Sequence, residues 1–147
     1  LMDSFKIFLA VIIFFVITLS SSAEEVFTEV VPLEADKAFV IDHMVAGPNE
    51  VVVRLQISEN YYLYKEKFIF SSIDFHIHDV NFPPSKVKID KFFGLSEVYF
   101  NVMETTLKIS PKISGNSNGI LEVAYQGCWE GGVCYPLTRK YLQIKEI

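Results

Sequence analysis

The residues best suited to chemistry are the only two cysteines of the chain, Cys128 and Cys134, in the stretch YQGCWEGGVCYPLT. Five residues separate them, and two of the five are glycines. A cysteine pair at this spacing can form a structural disulfide, contribute two ligands to a metal, or cycle between dithiol and disulfide. Composition does not distinguish these roles, so the elements that hold the pair decide between them.

The sequence on either side of the pair predicts a β-hairpin. ILEVAYQG runs into the first cysteine, WEGGV supplies the turn, and CYPLTRKYLQI runs out of the second. Gly131 and Gly132 can adopt the positive φ angles that a tight loop needs. Facing Cα atoms in an antiparallel ladder lie about 4.5 to 5.5 Å apart, within the range of a disulfide. We therefore expect Cys128 and Cys134 to face each other across the last pair of this ladder.

A structural staple is the simplest alternative and stays open from the residues alone. Closing so short a loop stabilises a fold by only about 2.4 kcal/mol, and by less where the hairpin already restricts the chain. The position is therefore weak for stabilisation and well suited to reversible chemistry. A zinc site is less favoured, because it needs three or four ligands and only His43, His76 and His78 remain to help. His76 and His78 share one strand face, where we expect solvated side chains rather than metal ligands.

The first 23 residues have the pattern of a secretory signal peptide. Lys6 gives a short positive region, Ile7 to Leu19 is an almost unbroken apolar run, and Ser21 and Ala23 are small residues before a cleavage site. The run is shorter than the roughly 18 residues of a spanning helix, which favours cleavage over an uncleaved anchor. We predict an exported domain over residues 24–147, in an oxidising compartment where two cysteines usually pair.

The rest of the chain predicts an all-β fold. Short runs rich in β-branched and aromatic residues alternate with turn signals such as AGPNE, NFPPS and SGNSNG, and no helical period is sustained. The predicted strands are 38–45, 50–58, 61–72, 75–80, 96–100, 106–110, 120–127 and 139–144. Strands of this number and length are typical of an antiparallel immunoglobulin-like β-sandwich. The formal net charge of -5, without a basic cluster or stripe, argues against nucleic-acid binding.

Four stretches together resemble a known family. YQGC-x5-CYP, followed by a basic residue and a last strand, resembles the active-site hairpin of the N-terminal periplasmic domain of the DsbD family of thiol:disulfide interchange proteins. ENYYLYKEKF (59–68) is similar to the family's DGYYLY strand, DKFFGLSEVY (90–99) to its cap loop D-E-F-Y-G-x-S-E, and PLEADKAFV (32–40) to its opening. The similarity extends over residues 31–147. It implies an immunoglobulin-like sandwich with an inserted active-site hairpin and a cap loop.

The resemblance also implies roles for single residues. Cys134 would form mixed disulfides with partner proteins, and Cys128 would resolve them. In the cap loop, Phe92 would lie over the sulfur atoms and shield them from small oxidants. The remaining implied site residues are Asp90 near the thiols, Gly94 as the point of loop freedom, and Tyr62 and Tyr64 beneath the cap.

Two cap residues depart from the family pattern. Lys91 stands where the family commonly has Glu, and Phe93 stands where it commonly has Tyr. A lysine directed at the sulfur atoms would favour the thiolate, whereas an acid there would disfavour it. Any role that needs a second carboxylate in the cap therefore does not transfer to this sequence.

The function implied is that of a periplasmic protein-disulfide reductase module. Its electron donor would be a thioredoxin-like C-terminal domain of the same protein, fed through a membrane domain to which the module is attached. Its acceptors would be periplasmic disulfide isomerases and thioredoxin-like proteins of cytochrome c maturation. No metal, flavin or nucleotide cofactor is expected, because the electrons reside on Cys128 and Cys134. Two other classes stay open: a secreted immunoglobulin-like binding module with an inert disulfide, and a chaperone-like β module with an exposed edge strand.

Overall fold

Twelve β-strands, one short helix and one 3-10 turn make up residues 30–147, the part of the chain that the computed structural model describes. Their bounds are α1 Ala35–Ala38, β1 Phe39–Gly47, β2 Glu50–Ile57, β3 Tyr61–Tyr64, the 3-10 turn Lys65–Lys67, β4 Ile69–Ser71, β5 Phe75–Asn81, β6 Lys86–Asp90, β7 Gly94–Tyr99, β8 Val102–Pro111, β9 Gly119–Tyr125, β10 Gly127–Trp129, β11 Val133–Cys134 and β12 Thr138–Ile144. The predicted signal peptide, residues 1–23, lies outside the described residues.

The strands of this region form three sheets, and every strand pair is antiparallel. The four-stranded sheet has the order β1-β2-β8-β5, the five-stranded sheet β11-β10-β3-β7-β6, and the three-stranded sheet β12-β9-β4. All of them belong to one compact unit, residues 32–147. The arrangement is an immunoglobulin-like sandwich, which confirms the predicted fold class. None of the helices described is long and apolar enough to cross a membrane.

The main core is built from strands that bury every second side chain. In β2 the buried positions alternate with more exposed ones, as the two-residue period of a strand requires. Large fully buried apolar side chains from the four-stranded and three-stranded sheets include Phe39, Phe75, Leu55, Met103, Leu107, Ile109, Leu121 and Ile144. Burying a side chain of this size stabilises the fold by about 1.5–3 kcal/mol each.

Strand β3 connects this core to a second, smaller cluster. All four of its residues are buried, although neighbouring side chains in a strand point to opposite faces. Tyr61 and Leu63 pack in the main core, whereas Tyr62 and Tyr64 pack with Val98 and Cys128 in the smaller cluster. The stretch YYLY therefore lacks polar alternation because both of its faces are covered.

Two of the predicted strands are each divided between sheets. The sequence predicts one strand over 61–72, but the 3-10 turn separates β3, in the five-stranded sheet, from β4, in the three-stranded sheet. Likewise the predicted strand 120–127 breaks at Gln126 into β9 and β10. The N–H of Tyr64 donates to the carbonyl of Gln126 at 3.0 Å, so the two corners lie side by side.

Strands β6 and β11 are absent from the predicted set. β6 has the sequence KVKID, in which lysines alternate with apolar residues and the preceding NFPPS suggests a loop. β11 contains only two residues. Both omissions matter for the site, because β6 forms the hairpin with β7 that carries the cap loop, and β11 carries Cys134.

Candidate active site

Cys128 and Cys134 form a disulfide across a short hairpin. Cys128 in β10 pairs directly with Cys134 in β11, and their Cα atoms lie 4.0 Å apart. The expectation that the cysteines face each other is confirmed, but the ladder predicted for them is wrong. The β9–β12 ladder ends at the pair Tyr125 and Thr138, and the cysteines belong to a separate hairpin that pairs with β3. The chain changes sheet between Tyr125 and Gly127, which moves the cysteines out of the longer ladder.

Gly127 allows this hairpin to approach β3 closely. It pairs with Leu63, and a Cβ at this position would lie 2.5 Å from the ring of Phe39, 2.6 Å from the carbonyl oxygen of Tyr62 and 2.8 Å from Cδ2 of Leu63. A backbone oxygen and a buried ring cannot move aside cheaply, so glycine is required for space. The glycine of YQGC thus sets Cys128 against β3, opposite Tyr62.

The two sulfur atoms have different environments. Cys128 is fully buried, whereas Cys134 is half-buried. The hydroxyl of Tyr64 lies 3.1 Å from Sγ of Cys128 and 3.7 Å from Sγ of Cys134. Burial, together with hydrogen bonding to Tyr62, raises the pKa of Tyr64 well above its ordinary value. The hydroxyl therefore keeps its proton and can donate it in a hydrogen bond to sulfur.

Asp90 is a buried carboxylate, only 4% exposed, with three hydrogen-bond donors. Tyr62 donates its hydroxyl to Oδ2, and the backbone N–H groups of Phe92 and Phe93 donate to Oδ1 at 2.8 and 2.9 Å. Burial acts to raise the pKa of Asp90, but these donors outweigh it and hold the pKa below its usual range. Burial and the bond to Asp90 in turn raise the pKa of Tyr62 to about 12. Asp90 is thus an anion that ties the cap loop to β3.

The cap loop is a three-residue turn, residues 91–93, between β6 and β7. Asp90 pairs with Gly94 across its base, and Gly94 has a φ of +73°. A Cβ at Gly94 would meet nothing within 4 Å, so glycine is required there for its backbone conformation and not for space. Three-residue hairpin loops commonly end in such a left-handed residue. An aspartate that accepts from the second and third N–H after it is a common way to hold a turn of this kind.

Phe92 and Phe93, at the tip of the cap, are each about half exposed. The Phe93 ring packs edge-to-face on Tyr64, with centroids 5.0 Å apart, and so extends the cap to the residue that contacts both sulfur atoms. The sequence singles out Phe93 only because the family commonly has Tyr at this position. Its contact with Tyr64 is a feature of the site that the sequence did not predict. The position of Phe92 over the sulfur atoms stays a prediction.

Comparison with known proteins agrees with this geometry. A sequence model of the family described as "Thiol:disulfide interchange protein DsbD, N-terminal" matches residues 29–146. The chain belongs to the DsbD N-terminal domain family. The protein named thiol:disulfide interchange protein DsbD from Pseudoalteromonas atlantica is 32% identical, with 100% of this chain and 25% of that protein covered. The Escherichia coli protein of the same name is 31% identical, with coverages of 77% and 19%. The chain therefore spans about a quarter or less of the length of these curated relatives.

Solved structures agree as well. The reduced N-terminal domain of DsbD from Neisseria meningitidis has a TM-score of 0.63 and 28% identity, covering 77% of this chain and 89% of that one. A structure of the complex between the DsbD and PilB N-terminal domains of the same organism gives 0.62 and 27%, covering 76% and 85%. The resemblance inferred from the sequence motifs is thereby confirmed.

Lys91, the departure from the DsbD pattern, lies against the cysteine hairpin. Its Nζ lies 2.5 Å from the point where a Cβ on Gly132 would stand, so the side chain reaches from the cap loop to the hairpin turn. Gly132 itself has a φ of +106°. A larger residue at Gly132 would displace the lysine as well as strain the turn.

Two further residues of this DsbD-type site, Phe100 and Lys88, were missed from the sequence. Phe100 packs on Tyr62 with centroids 5.9 Å apart, and Lys88 places its Nζ 5.0 Å from the centroid of the same ring. Lys88 also forms an ion pair with Glu130, at the tip of the cysteine hairpin, at 3.1 Å. Lys88 is two residues before Asp90 in β6 and so shares its face, a signal that becomes visible only once β6 is assigned as a strand.

The histidines lie apart from the cysteines. His76 and His78 are exposed on β5, in the four-stranded sheet, and His43 contacts the carbonyl oxygen of Gln143 through Nε2 at 3.0 Å. Within residues 30–147, no group of three or more His, Cys, Asp or Glu side chains could hold a metal ion. That the domain works without metal or cofactor stays a prediction.

Proposed function

We propose that this domain is an exported protein-disulfide reductase module that cycles between the Cys128–Cys134 disulfide and the dithiol. The observation that carries the proposal is the unequal exposure of the two cysteines on a short hairpin, with Cys128 buried and Cys134 half-buried. A relay needs one sulfur that a protein partner can approach and one protected sulfur that completes the reaction. A structural staple needs no such difference.

The exchange has two steps. The thiolate of Cys134 attacks one sulfur of a partner disulfide, which forms a mixed disulfide and releases the first partner thiolate. The thiolate of Cys128 then attacks Sγ of Cys134, which restores the Cys128–Cys134 disulfide and releases the second partner sulfur as a thiolate, which takes its proton from water. Two electrons pass to the partner, and the domain ends oxidised.

The neighbouring residues support this cycle in separate ways. The Tyr64 hydroxyl donates a hydrogen bond to the sulfur atoms and stabilises negative charge on Cys128 as a thiolate. Asp90 holds the cap loop through its backbone N–H groups and holds Tyr62 in place below it. Phe92 shields the pair from small oxidants, and Gly94 lets the loop open for a protein partner. Lys91, a cation beside the cysteine hairpin, favours the thiolate.

The proposed setting follows the family. Residues 1–23 direct export, residues 24–147 form the working domain in the periplasm, and a membrane domain follows in the full-length protein. A thioredoxin-like C-terminal domain of that protein reduces the pair, which then reduces periplasmic disulfide isomerases and thioredoxin-like proteins of cytochrome c maturation. Two facts support protein partners: the relatives are about four times as long as this chain, and a similar DsbD domain has been solved in a complex with a PilB domain.

Single-cysteine variants test the proposed roles. Reduced wild-type domain is mixed with oxidised thioredoxin as a protein-disulfide probe, and the products are separated on non-reducing gels. We expect Cys128→Ser to accumulate the mixed disulfide, because the resolving thiol is missing, and Cys134→Ser to give neither a mixed disulfide nor reduced probe. Equal trapping by both variants would contradict the assigned roles. A wild-type domain that leaves the probe oxidised would contradict the function itself and favour the staple.

A further inference from the structure

Lysine side chains surround the aromatic part of the site. Within residues 30–147, every contact between a lysine ammonium group and an aromatic ring lies here. The pairs, with the distance from Nζ to the ring centroid, are Lys67 over Phe93 at 4.7 Å, Lys88 over Tyr62 at 5.0 Å, Lys91 over Phe92 at 5.2 Å and Lys86 over Phe100 at 5.9 Å. The positive charge of these groups is thus concentrated around the cap loop and the cysteine hairpin.

Three of these four lysines have no acidic partner. Lys88 is paired with Glu130, but Lys67, Lys86 and Lys91 have no carboxylate oxygen within 4.0 Å among the residues that the structure describes. Lys140, in β12 of the three-stranded sheet, by contrast forms an ion pair with Asp36. The three ammonium groups are therefore available to a charged partner.

Most of the carboxylates near the lysines are already engaged. Asp90 is buried and bonded to Tyr62 and to the cap backbone. Glu97 accepts from Lys65 and Ser85, and Glu130 accepts from Lys88. The exposed carboxylates that are left are Glu66, in the 3-10 turn, and Glu59, beside Asn60, whose carbonyl accepts from the N–H of Glu130. Lys67, Lys86 and Lys91 thus outnumber these two exposed carboxylates, in a chain whose formal net charge is -5.

The same surface exposes apolar groups next to the accessible sulfur. Phe92 and Phe93 are 44% and 47% exposed in the cap, and Val133 and Leu137, on either side of Cys134 in sequence, are 39% and 40% exposed. An apolar centre with a charged rim is the usual composition of a protein-binding surface. Lys67 and Lys91 lie over the exposed rings of Phe93 and Phe92, so these ammonium groups and rings belong to one surface.

We propose that this lysine cluster, Lys67, Lys86, Lys88 and Lys91, selects partners whose disulfide is flanked by acidic side chains. The inference rests on the proposed exchange function, since only a partner that brings a disulfide to Cys134 meets the cluster. Opposite charges speed the encounter of two proteins and orient it, and salt screens the effect. The partner class is therefore an acidic protein surface with an apolar patch around its reactive disulfide.

The test compares three synthetic peptides that share one apolar sequence and one disulfide and differ only in the two residues beside the bridge. These residues are glutamates, glutamines or lysines. Oxidation of the reduced domain is followed by the fluorescence of Trp129, the only tryptophan of the chain and a direct neighbour of Cys128. We expect the glutamate peptide to react about tenfold faster than the lysine peptide at low salt, and the difference to shrink to about twofold in 0.5 M NaCl.

Charge variants connect the preference to the cluster. Lys67→Gln with Lys91→Gln is expected to remove most of the preference for the acidic peptide. The matched control, Lys108→Gln with Lys145→Gln, removes two exposed lysines outside the five-stranded sheet and is expected to retain it. Equal rates with all three peptides, or a preference unchanged by the first double variant, would overturn the inference and leave the exchange function intact. If even the glutamine peptide fails to react, the exchange function fails and the inference with it.

Discussion

At the scale of single residues, Asp90 has the clearest effect on the site. One of its oxygens holds the cap backbone and the other holds Tyr62, so a single side chain fixes the loop relative to the strand beneath it. The pKa of Asp90 is low because these groups donate hydrogen bonds to its carboxylate, and not because the residue lies at the end of a strand. Asp90 therefore links local turn geometry to the environment of the sulfur atoms.

Replacing Asp90 by Asn tests this link. The free energy of unfolding at pH 7 should fall by about 2 kcal/mol, because the amide lacks the charge that strengthens the backbone hydrogen bonds and the second oxygen that accepts from Tyr62. Since the folded-state pKa lies below the ordinary value of 3.8, this stabilisation is complete above 3.8 and is lost as the pH falls from 3.8 through the folded-state pKa. Urea unfolding at pH 7 and pH 3 should show a large difference from wild type at the first pH and a smaller one at the second. Asp79→Asn, on the exposed edge strand β5, is the control and should change little; a similar loss in both variants would contradict the account.

The sequence predicts residue types at the site better than their contacts. Two cysteines separated by five residues in YQGC-x5-CYP single out the pair without any structure. Which cap ring reaches Tyr64 depends on the directions of Phe92 and Phe93 in a three-residue turn, and residue type does not determine these. The contacts of Lys67 and Lys91 with those rings depend on the same geometry and could not be predicted either.

At the scale of the elements, the two corners where the chain changes sheet position the cysteines. β3 continues into β4 through the 3-10 turn, and β9 continues into β10 at Gln126, so the same two segments serve both the core and the site. The predicted strands 61–72 and 120–127 cover the right residues but miss these breaks. Strand propensity is high on both sides of each corner, and the short charged run Lys65–Lys67 at the first corner does not by itself distinguish a change of sheet from an exposed stretch of one strand.

Gly127→Ala tests the importance of the close approach at the second corner. The added Cβ would meet the carbonyl oxygen of Tyr62 at 2.6 Å and push β10 away from β3. We expect the free energy of unfolding to fall by about 2 kcal/mol, the usual cost of overpacking. Gly47→Ala is the matched control, because its Cβ would meet nothing within 4 Å. Equal urea midpoints for the two variants would show that the contact at Gly127 is not tight.

At the scale of the whole molecule, composition and turn signals were sufficient to predict an all-β immunoglobulin-like sandwich, but not its division into three sheets. The pairing of β3 with β10 joins residues far apart in sequence, such as Leu63 and Gly127, and no local pattern encodes such a register. The family motifs supplied the long-range information that local patterns lack, because they identify the YYLY strand, the cap loop and the cysteine hairpin as parts of one site.

The central claim is that the Cys128–Cys134 bond is a reversible redox couple, and its reduction potential tests this most directly. The domain is equilibrated with glutathione and dithiothreitol buffers of defined potential, and the fraction of dithiol is measured after alkylation of free thiols. We expect a value well above about −300 mV, in the range of thioredoxin-like proteins, because the bond closes only a short loop that the hairpin already restricts. A value below about −300 mV is typical of structural disulfides in exported proteins and would make the hairpin a staple.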